Sequence, residues 1–315
     1  MCHASRWALA LLILFAAAIS ACQRAAPPVA APTPTSPAAP TLPAPTATRP
    51  ASVQVAAIQF RTKFGDPVDN RKRLEPYIRT AAGHGAKIVV LPETAITGYT
   101  SEELNRTWHL KGRTLRDEFT GVDPLPVAET VPGPSTDQLG KLAGELKIYL
   151  TVPFVERAGE GENARYYNTI VLLDPAGKIA LHYRKLNPWP YAEIGWATPG
   201  DRGHPVLDTP YGRLGLLVCF DINFEPSALH KLQVDTLLYC IAWVDDENSR
   251  WFYRDLPGIA QRNDINIIGA NWTVTRHTDW SGYGHSLIIT RKGNVLTRAA
   301  DDLKEEILYA TLPVK

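Results

Sequence analysis

The sequence predicts an α/β domain built from mixed sheets with helices on the outside. Three observations lead there. Segments of strand period and helix period alternate from residue 52 onward, and three pairs of strands are joined by short turn sequences. Twenty-six of the 28 aromatic residues also lie beyond residue 50, enough to build one sizeable core.

Residues 53–60 (VQVAAIQF) read as a strand, and residues 69–84 as a helix with Leu74, Tyr77, Ile78 and Ala81 on one face. The apolar run KIVVL at 87–91 predicts a strand buried on both faces. After a long loop, Ser135 is the expected N-cap of a helix over 136–146, followed by a strand over 148–155. Strands at 169–173 and 178–183 flank DPAG, a hairpin turn, and TPYG joins strands at 206–208 and 213–220 in the same way. A helix from Glu225, a strand at 236–241, a helix at 248–262 and a strand at 265–270 continue the alternation. The turn RKGN makes a third hairpin from 287–290 and 295–298, and 307–311 is the last strand.

Charge divides the 315 residues unequally. The first fifty hold no Asp or Glu and only Arg6, Arg24 and Arg49, whereas the remaining 265 carry 30 basic and 32 acidic groups. A body so close to neutral lacks the basic surplus of a nucleic-acid binder. Only one long apolar run occurs, which excludes a multi-span membrane protein. That run, WALALLILFAAA at 7–18, is short for a membrane span and right for the apolar core of a signal peptide. The following Ile19-Ser20-Ala21-Cys22 resembles the lipobox of bacterial lipoproteins, which implies acylation of Cys22 as the mature N-terminus. Residues 23–50 contain 9 Pro, 8 Ala and 5 Thr, too little apolar surface for a core. Such a segment is an extended, partly polyproline-II spacer, reaching on the order of 80 Å at about 3.1 Å per residue. The expected organisation is a signal peptide at 1–21, a tether at 22–51 and one domain at 52–315. The expected location is membrane-anchored, with the domain in the periplasm or outside the cell.

No Walker loop, GxGxxG, CxxC pair or GxSxG elbow occurs, and the eight histidines show no ligand spacing. No metal or cofactor is therefore expected. The chemistry-bearing candidates stand instead at strand ends: Glu93 after KIVVL, Lys185 after KIALHYR and Cys219 after LGLLV. In open α/β sheets, functional groups gather beyond the carboxyl ends of strands. A lone cysteine, glutamate or lysine in such a place is ordinarily a packed or solvated residue, so the combination carries the argument.

The motifs around these residues resemble the nitrilase superfamily of carbon–nitrogen hydrolases. They are LPETAITGY at 91–99, HYRKLNPWPYAEIGWATPGD at 182–201, GRLGLLVCFDINFEPS at 212–227 and GHSLIITRKGNVL at 284–296. The resemblance covers residues 52–312 and implies an αββα four-layer sandwich, commonly assembled as a homodimer or a higher homo-oligomer. It implies Glu93 as general base, Lys185 as oxyanion lysine, Cys219 as nucleophile and Glu193 as the second glutamate of amidase members. The main-chain N–H of Phe220 is then an oxyanion donor, and a small-molecule amide is the substrate. Nitrile hydrolysis and acyl transfer to an amine use the same triad. RYYNT, TPYGR, CFDI and VDTLLYCIAW resemble the biotinidase and pantetheinase branch, while KLNPW with Glu193 and Trp196 resembles aliphatic amidases. Tyr99, Trp189, Trp196 and Trp243 are candidates to line an acyl pocket, with core packing as the alternative. Cys240, mid-strand in TLLYCIAW, is read as structural; pairing with Cys219 would abolish the nucleophile.

Overall fold

The computed structural model describes residues 49–103, 106–108, 123–193, 195–244, 254–278 and 281–315. The signal, lipobox and most of the tether lie outside the described residues.

Two six-stranded mixed sheets stack face to face. The first runs β12-β1-β2-β3-β4-β5, with β1 (Ser52–Gln59), β2 (Ile88–Val90), β3 (Tyr149–Ala158), β4 (Arg165–Leu173), β5 (Ile179–Arg184) and β12 (Glu306–Pro313). The second runs β11-β10-β9-β8-β7-β6, with β6 (Val206–Thr209), β7 (Gly212–Val218), β8 (Thr236–Cys240), β9 (Asn266–Ala270), β10 (Leu287–Ile289) and β11 (Val295–Arg298). Each sheet holds a parallel triplet, β1-β2-β3 or β7-β8-β9, flanked by antiparallel strands. Helices α1 (Pro67–Gly83) and α2 (Pro134–Leu146) lie on the first sheet, and α3 (Pro226–Lys231) and α4 (Leu256–Asn263) accompany the second. This is the αββα sandwich.

Period-2 alternation sorts the first sheet's side chains between two cores. Val53, Val55 and Ala57, then Ile88 and Val90, then Ile170 and Leu172 meet the second sheet. Their neighbours Ala56, Ile58, Val89, Val171 and Leu173 pack instead against Leu74, Ile78, Ala81, Leu139 and Ala143 of the helices. Because both faces are covered, these strands read as unbroken apolar runs.

Two expectations change. Ser135 lies inside α2 and is not its cap; Gly133 holds the cap position. The carboxylate of Glu129 takes over the capping work, accepting from Ser135 N at 2.7 Å and Ser135 Oγ at 2.9 Å, while Arg71 Nη1 neutralises it at 2.6 Å. The strand expected at 213–220 stops at Val218, because Cys219–Asn223 turn into a 3-10 helix. The helix expected at 248–262 is described only as α4; residues 245–253 lie outside the described residues.

A buried polar cluster braces β3, β4 and β5 next to Lys185. Glu156 accepts from Thr169 Oγ1 (2.6 Å), His182 Nε2 (2.8 Å) and Arg184 Nη2 (2.6 Å). The Arg184 guanidinium lies 3.8 Å from the centroid of the Tyr167 ring. Burial pushes the Glu156 carboxyl up, but the His182 and Arg184 bonds outweigh it and hold it at about 2. A carboxyl depressed by folding contributes stability above its unfolded value near 4.3, and this is lost as pH falls through about 2. Glu156→Gln is therefore expected to melt below the wild type at neutral pH, with the gap closing from about pH 4.5 down to about pH 2. Thermal unfolding across that range checks this; a gap that stays constant would contradict it.

Candidate active site

The parallel triplets put several strand ends at one edge of the sandwich. Glu93 follows β2, Cys219 follows β7, and Ile241 and Ala242 follow β8. Strand β5, two antiparallel steps from β3, points the same way and delivers Lys185.

Each residue is pinned by its main chain. Glu93 N donates across the two sheets to Ile241 O (3.2 Å). Lys185 N donates to Asn168 O (2.8 Å) on β4, and Lys185 O accepts from Gly200 N (2.8 Å). A Cβ at Gly200 would stand 2.1 Å from Arg184 O, so only glycine permits this approach. Cys219 has φ +37°, a left-handed conformation that costs a non-glycine residue about 1–2 kcal/mol. The Tyr239 hydroxyl holds this turn by donating to Cys219 O at 2.8 Å.

The side chains meet in a buried space. Lys185 Nζ donates to Glu93 Oε1 at 2.9 Å and to Glu193 Oε2 at 2.6 Å, and all three side chains are at most 1% exposed. The amide of Asn168 donates to Glu93 Oε1 at 2.6 Å and also to Glu193 Oε1. Ala242 N donates to Glu93 Oε2 at 2.8 Å and also faces the Cys219 thiol. Glu193 sits in a turn after β5, where its carboxylate accepts from Trp189 N.

Electrostatics assigns the resting charges. Burial pushes the Cys219 thiol well above the ordinary cysteine value and the Glu93 carboxylate adds to this, against the pull of Lys185. The sulfur therefore keeps its proton until a base removes it. Burial pulls Lys185 down, but Glu193 and Glu93 outweigh it, so the ammonium stays charged. Burial raises Glu193, with Lys185 opposing and Glu93 reinforcing.

A further carboxylate, missed in the sequence, ties the lysine loop to the cysteine turn. Asp221 accepts from Tyr183 Oη (2.7 Å), Asn187 N (2.8 Å) and Asn187 Nδ2 (3.0 Å). Burial pushes it up to about 6 despite Lys185 and these bonds. Its position two residues after Cys219 was the available signal.

The four candidate aromatics separate. Tyr99, Trp196 and Trp189 share a cluster with Trp108, Trp272 and Tyr283, and Tyr99 meets Trp196 edge to face at 6.2 Å. The Tyr99 phenol lies in the field of Glu93, Glu193 and Cys219. Trp243 packs instead against the core between the sheets. Phe220 occupies the first 3-10 turn beside Cys219. Cys219 and Cys240 are both free thiols, and both are buried. Cys240 bonds to Thr151, whose hydroxyl accepts from Leu91 N (2.8 Å). That is a packing role beneath Glu93.

The carbon–nitrogen hydrolase family model matches residues 54–315. The chain belongs to this family. A bifunctional nitrilase/nitrile hydratase of Nicotiana tabacum is 30% identical over 229 residues, 70% of this chain and 61% of the relative. The match thus spans about six tenths of that relative's length. A human omega-amidase is 28% identical over 257 residues, 78% of this chain and 84% of the relative. In fold, the crystal structure of an amidase from Nesterenkonia sp. superposes with a TM-score of 0.65 at 21% identity, covering 84% of this chain and 92% of that one. Among the described residues of this family member, no helix is long and apolar enough to cross a membrane.

Proposed function

We propose that the chain hydrolyses the C–N bond of a small-molecule amide through a thioester on Cys219. The observation that carries the reading is a buried free thiol beside one buried cluster of Glu93, Lys185 and Glu193, with the Lys185 ammonium bridging the two carboxyl groups. Glu93 takes the thiol proton as sulfur attacks the carbonyl carbon. Negative charge then develops on the carbonyl oxygen, where Lys185 Nζ and Phe220 N–H stabilise it. The intermediate collapses with cleavage of the C–N bond, and the proton held by Glu93 leaves on ammonia or an amine. Water, deprotonated by Glu93, attacks the thioester, releases the acid and restores the thiol. Glu193 holds Lys185 from the far side. Tyr99, Trp189 and Trp196 form the aromatic wall available to the acyl group, with Trp243 on the neighbouring core.

Nitrile hydrolysis is the second reading, favoured by the tobacco relative. One screen separates them: release of acid and ammonia or amine from matched aliphatic amides and nitriles and from pantetheine and biotinyl amides, with Cys219→Ala as control. Turnover of amides that the control lacks supports the first reading, and turnover of nitriles alone supports the second. Turnover of neither class, or acyl transfer to an added amine in place of acid release, overturns hydrolysis.

The same proposal places the domain on a membrane surface through lipid on Cys22. Cys22→Ala is expected to move the protein from the membrane fraction to the soluble one. A homo-oligomer, as the family resemblance implies, is expected by sedimentation.

A further inference from the structure

Asn168 lies mid-strand in β4 at 1% exposure, on the face that Ile170 and Leu172 turn toward the second sheet. An asparagine there interrupts an otherwise apolar face, and the Glu–Lys–Cys chemistry above does not use it. Its contacts converge on that chemistry. One Nδ2 hydrogen goes to Glu93 Oε1 (2.6 Å) and the other to Glu193 Oε1, while its main-chain carbonyl accepts from Lys185 N (2.8 Å). Oδ1 is left buried without a partner. Turning the amide over would aim Oδ1 at two carboxylates, so their charge fixes the orientation. A buried, unsatisfied acceptor costs stability, and packing alone would favour an apolar residue on this face. The two donors explain why an amide is there.

We propose that Asn168 is a positioning residue: its side-chain amide bridges Glu93 and Glu193 around Lys185, and its main-chain carbonyl anchors the lysine. The proposal rests on the catalytic reading above and adds to it. Two buried carboxylates share one ammonium, leaving a net charge of −1 in the cluster. The amide donors stabilise both as anions and keep Glu93 available as the base. The titratable groups facing the pair are Lys185, Cys219, Tyr99, Tyr239 and Cys240, and Asp221 faces Lys185. Among these only Lys185 brings positive charge, so removing the amide lets one carboxylate take up a proton.

The test compares wild type with Asn168→Leu, which matches the shape without donors, and Asn168→Ser, which leaves room for water. For Asn168→Leu the acid limb of kcat/KM is expected to rise by about one pH unit, with kcat down about 10–100-fold and KM changed far less. Asn168→Ser is expected to fall between Leu and wild type. Iodoacetamide labelling of Cys219, read by mass, gives a measure independent of turnover. Where the buried thiol titrates both carboxylates are ionised, and without the amide donors their negative charge is less offset, so the labelling midpoint is expected to rise in Asn168→Leu. A variant slowed equally at all pH values, with both midpoints unmoved, would overturn the proposal. So would failure of both variants to fold, which assigns Asn168 a structural role. Loss of wild-type turnover on every amide and nitrile would count against the catalytic reading instead, and the labelling midpoints would still decide the Asn168 bridge.

Discussion

Replacing Lys185 with methionine is expected to lower kcat/KM by at least about 10³-fold and to destabilise the fold by about 3–5 kcal/mol at neutral pH. Both effects come from one atom. Nζ is the shared cation of Glu93 and Glu193, and under the proposed mechanism it is also a donor to the developing oxyanion. Methionine fills the space but leaves two carboxylates buried with no counter-charge. At least one must then protonate, so its folded pKa lies above the unfolded value near 4.3. A group shifted in that direction contributes stability below its unfolded pKa and loses it as pH rises through the folded one. The variant's melting temperature should therefore approach the wild type's near about pH 4–5 and fall away toward about pH 8. Measuring kcat/KM and thermal unfolding at both pH values tests the two effects together. Near-normal stability at high pH would mean that the three groups are not one electrostatic unit.

The second large effect is at Cys219. Cys219→Ala and Cys219→Ser are each expected to lower kcat by about 10⁴-fold or more, the loss typical when a covalent nucleophile is removed. The melting temperature should change little, because one small side chain is lost from an otherwise unchanged turn. Serine does not rescue, since its hydroxyl is harder to deprotonate than the thiol it replaces. The resting thiol has its own signature. Burial and Glu93 hold it well above the ordinary cysteine range, so wild-type labelling by iodoacetamide should keep rising with pH through about 9. A labelling plateau below about pH 8 would indicate a thiolate already formed, with Glu93 not needed as base.

Strand ends were the legible part of this molecule. KIVVL, KIALHYR and LGLLV announce themselves as strands, and Lys185 and Cys219 stand directly after theirs, with Glu93 two residues beyond KIVVL. Glu93, Lys185 and Cys219 could be proposed on that basis. Glu193 came from motif resemblance, because a loop spacing of eight does not reveal that the chain folds back to meet Nζ at 2.6 Å. Ser135 reads as the cap of α2 in sequence because it has the right local chemistry, yet it lies inside the helix. The acceptor comes instead from Glu129, whose carboxylate is brought back to the helix start by tertiary structure. Asn168 left a fainter trace, one amide in an apolar strand, and its meaning depended on contacts 75 and 25 residues away in sequence. Trp243 resembled its aromatic neighbours in composition, yet the path of the chain after β8 leaves it against a different core. What periodicity could not supply was which distant groups share a space.

The central claim is that Cys219 becomes acylated during turnover. Acid quenching during turnover of an amide identified by the screen, followed by mass analysis of the Cys219 peptide, tests it directly. The account predicts the added mass of the acyl group on Cys219, abolished in Cys219→Ala and strongly reduced in Glu93→Gln, where the thiol lacks the base that removes its proton. Undiminished hydrolysis by Cys219→Ala, or an acyl group carried on another residue, would contradict it.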